Sequence, residues 1–201
     1  MNSTVLPDAG AIEKASKIEV FDANGQAVEF GTLIDKRETI VVFIRHFFCG
    51  ACQAYVSELS SVRPEALDKA NKDLIIIGCG DYTLIKNYAE TTQFRGIIYA
   101  DPSRSLYRIF GLTESLERTP AGKQKRGYLA GQSFLGNVLS SIWKGPLMHP
   151  HHIGKQGKLS QLGGEFIFGP GKACSYASRM QHTEDHVDVS ELMQEANVEY
   201  P

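Results

Sequence analysis

The segment that most constrains the fold is a run of strand-forming residues that leads directly into a pair of cysteines. Residues 39–44, Thr-Ile-Val-Val-Phe-Ile, are β-branched or apolar throughout, which is typical of a strand covered on both faces of a sheet. Cys49 and Cys52 follow, and apolar residues then recur at helical spacing until Pro64, which blocks further extension of a helix. The sequence therefore predicts the order strand, thiols, helix.

Two thiols three positions apart on the first turn of a helix can close a small disulfide ring. Unpaired N–H groups and the helix dipole at this place favour a thiolate and lower the pKa of a cysteine. Arg45 and His46 lie just before the cysteines, and a nearby cation would stabilise the thiolate further. Because neighbouring strand residues point to opposite faces, we expect at most one of these two side chains to face the thiols. Cys49, Cys52, Arg45 and His46 are the candidate catalytic residues.

A Cys-x-x-Cys pair has two other common uses, as half of a zinc site and as plain core packing. Zinc needs two more ligands and the chain has no second Cys-x-x-Cys pair, although His149, His151 and His152 could supply nitrogens. Because the pair lies near a βαβ pattern, redox or nucleophilic use is favoured, with no metal and no bound cofactor.

The remaining cysteines and histidines receive less specific predictions. Cys79 ends a second apolar run, so it is expected at the same sheet edge as the pair, where burial as core filler is favoured over a role as a third active thiol. Cys174 is expected to be structural or exposed. His182 and His186 are interpreted as loop residues without a function.

The rest of the chain predicts strands that alternate with helices. Residues 18–30 form a hairpin around Asn24-Gly25, and strands at 74–77 and 97–100 flank a helix at 82–90, which implies parallel pairing. A second hairpin turns at residues 169–171, Gly-Pro-Gly. A closing helix begins after Asp188, with Glu191 in the capping-box position, and runs to about Ala196.

Residues 113–160 interrupt this rhythm and are interpreted as an insertion within a single domain that spans 18–197. They contain a basic loop and an amphipathic helix from Gln132 to Lys144, with Tyr128 and Trp143 among the apolar residues. The helix packs on the domain, forms a homodimer contact, or serves as a lid that binds an apolar or lipid-like small molecule or docks on a membrane surface.

Composition sets broad limits on function and location. With 201 residues and a formal net charge of -2, the chain fits one ordinary domain and nucleic acid is not an expected partner. No apolar run approaches the roughly 20 residues that cross a bilayer, and residues 1–17 lack a signal-peptide core. We therefore expect a cytoplasmic protein with free thiols.

Three blocks occur in order along the chain: residues 45–52, Arg-His-Phe-Phe-Cys-Gly-Ala-Cys; residues 105–112, Ser-Leu-Tyr-Arg-Ile-Phe-Gly-Leu; and residues 161–171, which begin Gln-Leu-Gly-Gly-Glu. Together they resemble the peroxiredoxin-like branch of the alkyl hydroperoxide reductase and thiol-specific antioxidant superfamily. The resemblance covers residues 18–197. It implies an α/β, thioredoxin-like fold with a central mixed sheet, an N-terminal β-hairpin and a helical insertion.

The resemblance also implies roles for individual residues. Peroxiredoxins place Pro-x-x-x-Thr-x-x-Cys at this bend, and the alignment puts Arg45 at the Pro position and Cys49 at the Thr position. Peroxiredoxins carry an Arg before the late strand and thioredoxins a cis-proline, whereas this chain has Gly163-Gly164. Similarity to thioredoxins makes Cys49 the nucleophile and Cys52 the resolving thiol, and expected substrate-binding residues are Phe47, Phe48, Gly163, Gly164, Tyr128 and Trp143.

These observations give one leading hypothesis and two alternatives. The leading one is an oxidoreductase that exchanges thiols and disulfides and is recycled by an external thiol reductant, thioredoxin or glutathione. The second is an antioxidant peroxidase or lipid endoperoxide reductase that uses the same cysteines. The third is a non-catalytic ligand-binding or biosynthetic accessory protein that uses the insertion.

Overall fold

The computed structural model describes residues 3–124, 126–129, 154–171 and 173–201, and seven strands of these residues form one sheet. The strands are β1 (Glu19–Phe21), β2 (Ala27–Glu29), β3 (Glu38–Phe43), β4 (Lys72–Gly78), β5 (Ile97–Ala100), β6 (Gly164–Gly169) and β7 (Ala173–Arg179). The helices are α1 (Ala9–Ser16), α2 (Phe30–Leu33), α3 (Gly50–Leu59), α4 (Pro64–Lys69), α5 (Ile85–Thr92), α6 (Ser105–Ile109) and α7 (Val189–Glu195).

The sheet is mixed, as the sequence predicts, with the strand order β2-β1-β5-β4-β3-β6-β7. The strands β3, β4 and β5 pair in parallel through helical crossovers, whereas β6 runs antiparallel to β3 on its other side. β3 thus lies inside the sheet, and its residues from Thr39 to Phe43 are fully buried. This placement confirms that the β-branched run is a strand covered on both faces.

Each face of the sheet carries its own apolar layer. One layer packs α3, α5 and α7 against alternate residues of β3 and β4, and includes Val42, Ile76 and Leu192. The other packs α1, α2 and α6 against the opposite face, and includes Val41, Ile75 and Phe110. Because side chains alternate along a strand, one run of apolar residues serves both layers. The α1 helix, which the sequence pattern does not predict, contributes Ile12 and Ala15.

Two local predictions differ in detail from the structure. The first hairpin forms, but only Gly25 of the Asn24-Gly25 pair has a positive φ angle, since the Asp22 carboxylate organises the turn by accepting the N–H groups of Asn24 and Gln26. The closing helix does have Asp188 as its N-cap, but no capping box forms. The Asp188 carboxylate instead accepts the N–H of Gly127 at 2.8 Å.

The late segment of the predicted insertion returns to the sheet edge beside the cysteine loop. The Phe47 N–H donates to the carbonyl of Gln156 at 3.1 Å, and the Asp81 N–H donates to that of Lys155 at 2.8 Å. The predicted helix at 132–144 and the histidines at 149, 151 and 152 lie outside the described residues. No helix in the described ranges is long and apolar enough to cross a membrane.

Candidate active site

The thiols lie where β3 ends and α3 begins. A backbone hydrogen bond from the Cys49 N–H to the His46 carbonyl, 3.0 Å long, closes a turn between the two elements. Cys49 is the N-cap residue of α3, and its Sγ accepts the N–H of Cys52 at 3.4 Å. A sulfur atom therefore occupies the position that Ser or Asp usually takes at a helix start, where negative charge is stabilised.

Arg45 supplies the cation of the site. Its Nη1 lies 3.2 Å from the Sγ of Cys49, and its guanidinium is fixed by donation from Nη2 to the Leu159 carbonyl at 2.6 Å and from Nε to the Gln161 carbonyl at 3.2 Å. The hydrogen bond from the Cys52 side chain and the charge of Arg45 lower the pKa of Cys49 to about 6, against the opposing effect of burial. Cys49 is thus a thiolate at neutral pH.

Cys52 occupies the contrasting environment. Its side chain is fully buried, and its Sγ accepts the backbone N–H of Arg45 at 3.4 Å. Burial and the neighbouring Cys49 raise the pKa of Cys52 well above its ordinary value. The pair therefore consists of one ionised and one protonated thiol, which is the arrangement that a nucleophile and a resolving cysteine require.

A histidine and a carboxylate lie behind Cys52. The Nε2 of His186 is 3.5 Å from the Sγ of Cys52, and its Nδ1 is 2.5 Å from Oε1 of Glu165 on β6. Both side chains are completely buried. The imidazole stacks on the Tyr55 ring at 4.4 Å between centroids, and the backbone N–H of His186 donates to the Tyr128 hydroxyl at 3.2 Å. His186 does lie in the connection between β7 and α7, as the sequence predicts, but its side chain is buried in the core and contacts Glu165 and Cys52.

A cleft of 490 Å³ opens beside Cys49. Apolar side chains contribute part of its wall, including Phe48, Leu116 and Leu129, and the polar part includes His46 and Arg118. Burial and the charge of Arg45 lower the pKa of His46 to about 3, so this imidazole is neutral. Arg45 and His46 lie beyond the end of β3 and both line this cleft, so strand alternation does not separate them; it is Arg45 whose guanidinium contacts the Cys49 sulfur.

The expected substrate-binding residues fall into three groups: one lines the cleft, four are buried away from it, and one lies outside the described residues. Phe48 lines the cleft. Phe47 is buried in the core and packs edge-on against Tyr88 at 5.3 Å, so its ring does not face the cleft. Gly163 and Gly164 lie in close-packed backbone at the start of β6, and a Cβ at Gly163 would overlap the Phe43 carbonyl. Tyr128 is buried against Tyr55 and His186, behind the thiols. Trp143 lies outside the described residues.

The other cysteines do not share the properties of Cys49. Cys79 does lie at the same sheet edge, and its thiol donates to the Arg45 carbonyl at 2.9 Å, but burial raises its pKa to about 11. Burial raises the pKa of the partly exposed Cys174 to about 11 as well. Within the described ranges, no group of three or more His, Cys, Asp or Glu side chains is arranged to hold a metal ion.

Sequence reasoning missed Glu165, His186 and Tyr55. One signal was available, because Glu165 interrupts the otherwise apolar strand Gly-Glu-Phe-Ile-Phe, and a buried carboxylate requires a partner. The sequence does not identify that partner, since His186 lies in a connection without periodicity and reaches Glu165 only through the tertiary fold.

Comparisons with known proteins place these features in context. A family model described as AhpC/TSA antioxidant enzyme matches residues 58–182, a range that begins after both cysteines of the pair. Peroxiredoxin-like 2C of Homo sapiens is 33% identical over 199 residues, which cover 96% of this chain and 84% of the human protein. A prostamide/prostaglandin F synthase of Aquarana catesbeiana is 30% identical over 129 residues, with coverage of 63% and 60%. Among solved structures, a mutant of the peroxiredoxin 6 of Arenicola marina matches with a TM-score of 0.64 and 14% identity, covering 96% of this chain and 72% of its own.

Proposed function

Because this chain belongs to the AhpC/TSA antioxidant enzyme family and has a thioredoxin-like fold, we propose that it is a thiol-dependent oxidoreductase with Cys49 as the nucleophile and Cys52 as the resolving thiol. The observation that carries this proposal is the position of the Cys49 sulfur. It caps α3, accepts the Cys52 N–H and lies 3.2 Å from the Arg45 guanidinium, beside an open cleft. Cys49 is only 4% exposed, but it lines this cleft, and electropositive surroundings of this kind are characteristic of reactive cysteines.

The proposed cycle has two sulfur transfers. The Cys49 thiolate attacks one sulfur of a substrate disulfide, so that an S–S bond forms to Cys49 and the other substrate sulfur leaves with the electron pair. The Cys52 thiol then loses its proton and attacks the Cys49 sulfur, which releases the second substrate sulfur as a thiol. The product is a Cys49–Cys52 disulfide, and an external dithiol or two monothiols, of the thioredoxin or glutathione class, reduce it again.

Mass spectrometry of the oxidised protein tests this cycle. After mild oxidation, a peptide linked through Cys49 and Cys52 is expected in the wild type and in a Cys174→Ser control. When a disulfide substrate is supplied, the Cys52→Ser variant should instead retain one substrate sulfur as a mixed disulfide at Cys49, and the Cys49→Ser variant should not turn over the substrate. Free thiols at both positions after oxidation would rule out the mechanism.

A second candidate reaction, reduction of a peroxide or lipid endoperoxide, is supported by the cleft wall. Phe48, Leu116 and Leu129 provide apolar surface beside Cys49, which suits a lipid-like molecule. One similar protein is named as a prostamide/prostaglandin F synthase. Here the Cys49 thiolate would attack one oxygen of the O–O bond, the other oxygen would leave and take a proton, and attack by Cys52 would release the first oxygen as a hydroxyl.

Side-by-side kinetics separate the two reactions. Turnover of insulin disulfide and of a lipid hydroperoxide, each with the same thiol reductant, identifies the preferred bond by its larger kcat/KM. In the cell, a Cys49→Ser, Cys52→Ser double variant that retains the biological role would indicate the non-catalytic accessory function instead. We also propose a cytoplasmic location, in which the thiol pair is kept reduced between turnovers.

A further inference from the structure

A continuous line of polar groups runs from Cys52 into the core. The Cys52 sulfur contacts Nε2 of His186, and Nδ1 of the same ring contacts the Glu165 carboxylate. All three side chains are completely buried, although a buried carboxylate and a buried imidazole each carry a substantial desolvation cost. Burial raises the pKa of Glu165, and the interaction with His186 opposes that effect.

Several independent contacts fix the orientation of the His186 imidazole. Its plane lies parallel to the Tyr55 ring, at an interplanar angle of 3°, and its own backbone N–H is held by the Tyr128 hydroxyl. Gly163 makes room for the ring, because a Cβ at that position would come within 3.3 Å of the His186 Cε1. Stacking, backbone anchoring and the Glu165 contact therefore leave one ring orientation, in which Nε2 faces the sulfur.

The Glu165 contact also selects the tautomer. When Glu165 is ionised, it accepts the proton held on Nδ1, which leaves a lone pair on Nε2, 3.5 Å from the Cys52 sulfur. In the reduced pair the Cys52 thiol donates to the Cys49 sulfur, whereas in the mixed disulfide Cys49 is no longer a thiolate and Nε2 is the acceptor for the Cys52 proton. A mere packing role would not require the free nitrogen to face the one thiol that must lose its proton during turnover. Cys49 needs no such base, because it is already ionised.

We infer that His186 is a catalytic residue, the proton acceptor that activates Cys52 for the resolving attack, and that Glu165 is a positioning residue that holds its tautomer. The inference rests on the proposed function, since it concerns the second step of that cycle. As the Cys52 sulfur bonds to the Cys49 sulfur, its proton moves to Nε2 of His186. The bond from Cys49 to the substrate breaks, the leaving sulfur takes the electron pair, and the imidazolium later returns the proton to solvent or to the leaving group.

Several ionisable groups face His186 or its thiol partner and will contribute to the measured pH dependence. They come from α3, from β6, from the turn at 127–129 and from the loop that precedes α3, and they are Cys52, Tyr55, Glu165, Tyr128, Cys49 and Arg45.

The test separates the two sulfur transfers with the disulfide reagent dithiobis(nitrobenzoic acid), in a Cys174→Ser background that removes the partly exposed thiol. Attack by Cys49 releases one coloured nitrothiobenzoate, and attack by Cys52 on the resulting mixed disulfide releases a second. Stopped-flow absorbance resolves both phases. The Cys52→Ser variant, which lacks the second phase, identifies it.

The variants are His186→Gln, Glu165→Gln and the matched control His182→Gln, a neighbouring histidine that contacts Asp185 and neither cysteine. Loss of a general base slows a step by about 100-fold or more, so the second phase of His186→Gln should fall by at least that factor while the first phase is unchanged. The residual second-phase rate should then rise tenfold per pH unit through neutral pH, as expected for hydroxide-dependent ionisation of Cys52. Glu165→Gln should show a slower second phase with a shifted pH midpoint, a readout that loss of packing alone would not move.

The outcomes distinguish this inference from the function on which it rests. If the wild type shows no first phase at Cys49, the proposed function fails. If the first phase is normal and the second phase of His186→Gln matches that of His182→Gln, the function stands and the role of His186 is refuted. If His186→Gln does not fold, Glu165→Gln decides, because an unchanged second-phase rate and pH midpoint in that variant would equally refute the relay.

Discussion

Replacement of Arg45 by glutamine is expected to raise the pKa of Cys49 and to lower its reactivity at neutral pH. The guanidinium lies 3.2 Å from the thiolate and is 7% exposed, so solvent screens the interaction little. Glutamine retains hydrogen-bonding capacity and much of the side-chain length, but it removes the charge. The main consequence of the substitution is therefore electrostatic.

The size of the effect follows from the separation of the charges. At 3.2 Å and an effective dielectric constant of about 20, two unit charges interact by about 5 kcal/mol, which is an upper bound on the change. Opposite charges at such distances usually lower a pKa by about 1 to 3, so the pKa of Cys49 should rise from about 6 to about 8. The thiolate fraction at pH 7 would then fall from about 90% to about 10%.

The rate of Cys49 alkylation by iodoacetamide, followed by mass spectrometry of the Cys49 peptide from acid to alkaline pH, measures this pKa directly. Arg108→Gln is the matched control, because that arginine is exposed and contacts Ser105, far from the thiols in sequence and on a different helix. An alkylation midpoint that is the same in Arg45→Gln and in Arg108→Gln would refute the electrostatic argument. A raised midpoint in Arg45→Gln alone would support it.

The remaining predictions concern the thiolate and the packing around it. In the wild type, alkylation of Cys49 should rise about tenfold per pH unit below pH 6 and level off above it, because only the thiolate reacts; a midpoint near the ordinary thiol value would contradict the assigned environment. Phe47→Ala should lower the free energy of unfolding by about 3 to 5 kcal/mol in urea denaturation, whereas Leu116→Ala, at a side chain 68% exposed, should have little effect. Gly163→Ala should cost about 1 to 3 kcal/mol because its Cβ overlaps backbone, whereas Gly169→Ala, where a Cβ meets nothing within 4 Å, should be nearly neutral; equal effects would refute the packing argument.

The fold was predictable because periodicity carries most of the information about a sheet that is buried on both faces. The run at 39–44 and the run at 74–77 identified β3 and β4, and the helical patterns between the strands implied their parallel pairing. The α1 helix was missed because only Ile12 and Ala15 of that segment enter the core, which leaves a weak apolar pattern. Local sequence predicts a capping box at Asp188, since it cannot reveal the distant partner of that carboxylate, the N–H of Gly127.

The reactive half of the site was predictable and the buried half was not. Cys49, Cys52 and Arg45 lie within eight residues of one another, so a local pattern is enough to relate them. His186 lies 134 residues from Cys52 and 21 from Glu165, and those contacts exist only after β6 and the connection to α7 have packed on α3. For Phe47 the local pattern misleads. An aromatic residue next to a reactive cysteine pair suggests a substrate contact, but the Phe47 ring packs in the core beside Gly78.

The anchoring of Arg45 gives the site a mechanical property. The arginine that faces Cys49 is gripped by carbonyl groups 114 and 116 residues further along the chain, at Leu159 and Gln161. A molecule that binds residues 159–161 and displaces them from the sheet edge would move the Arg45 guanidinium away from the Cys49 sulfur without contacting either cysteine. The reactivity of Cys49 therefore depends on whether residues 159–161 stay packed against the edge of the sheet.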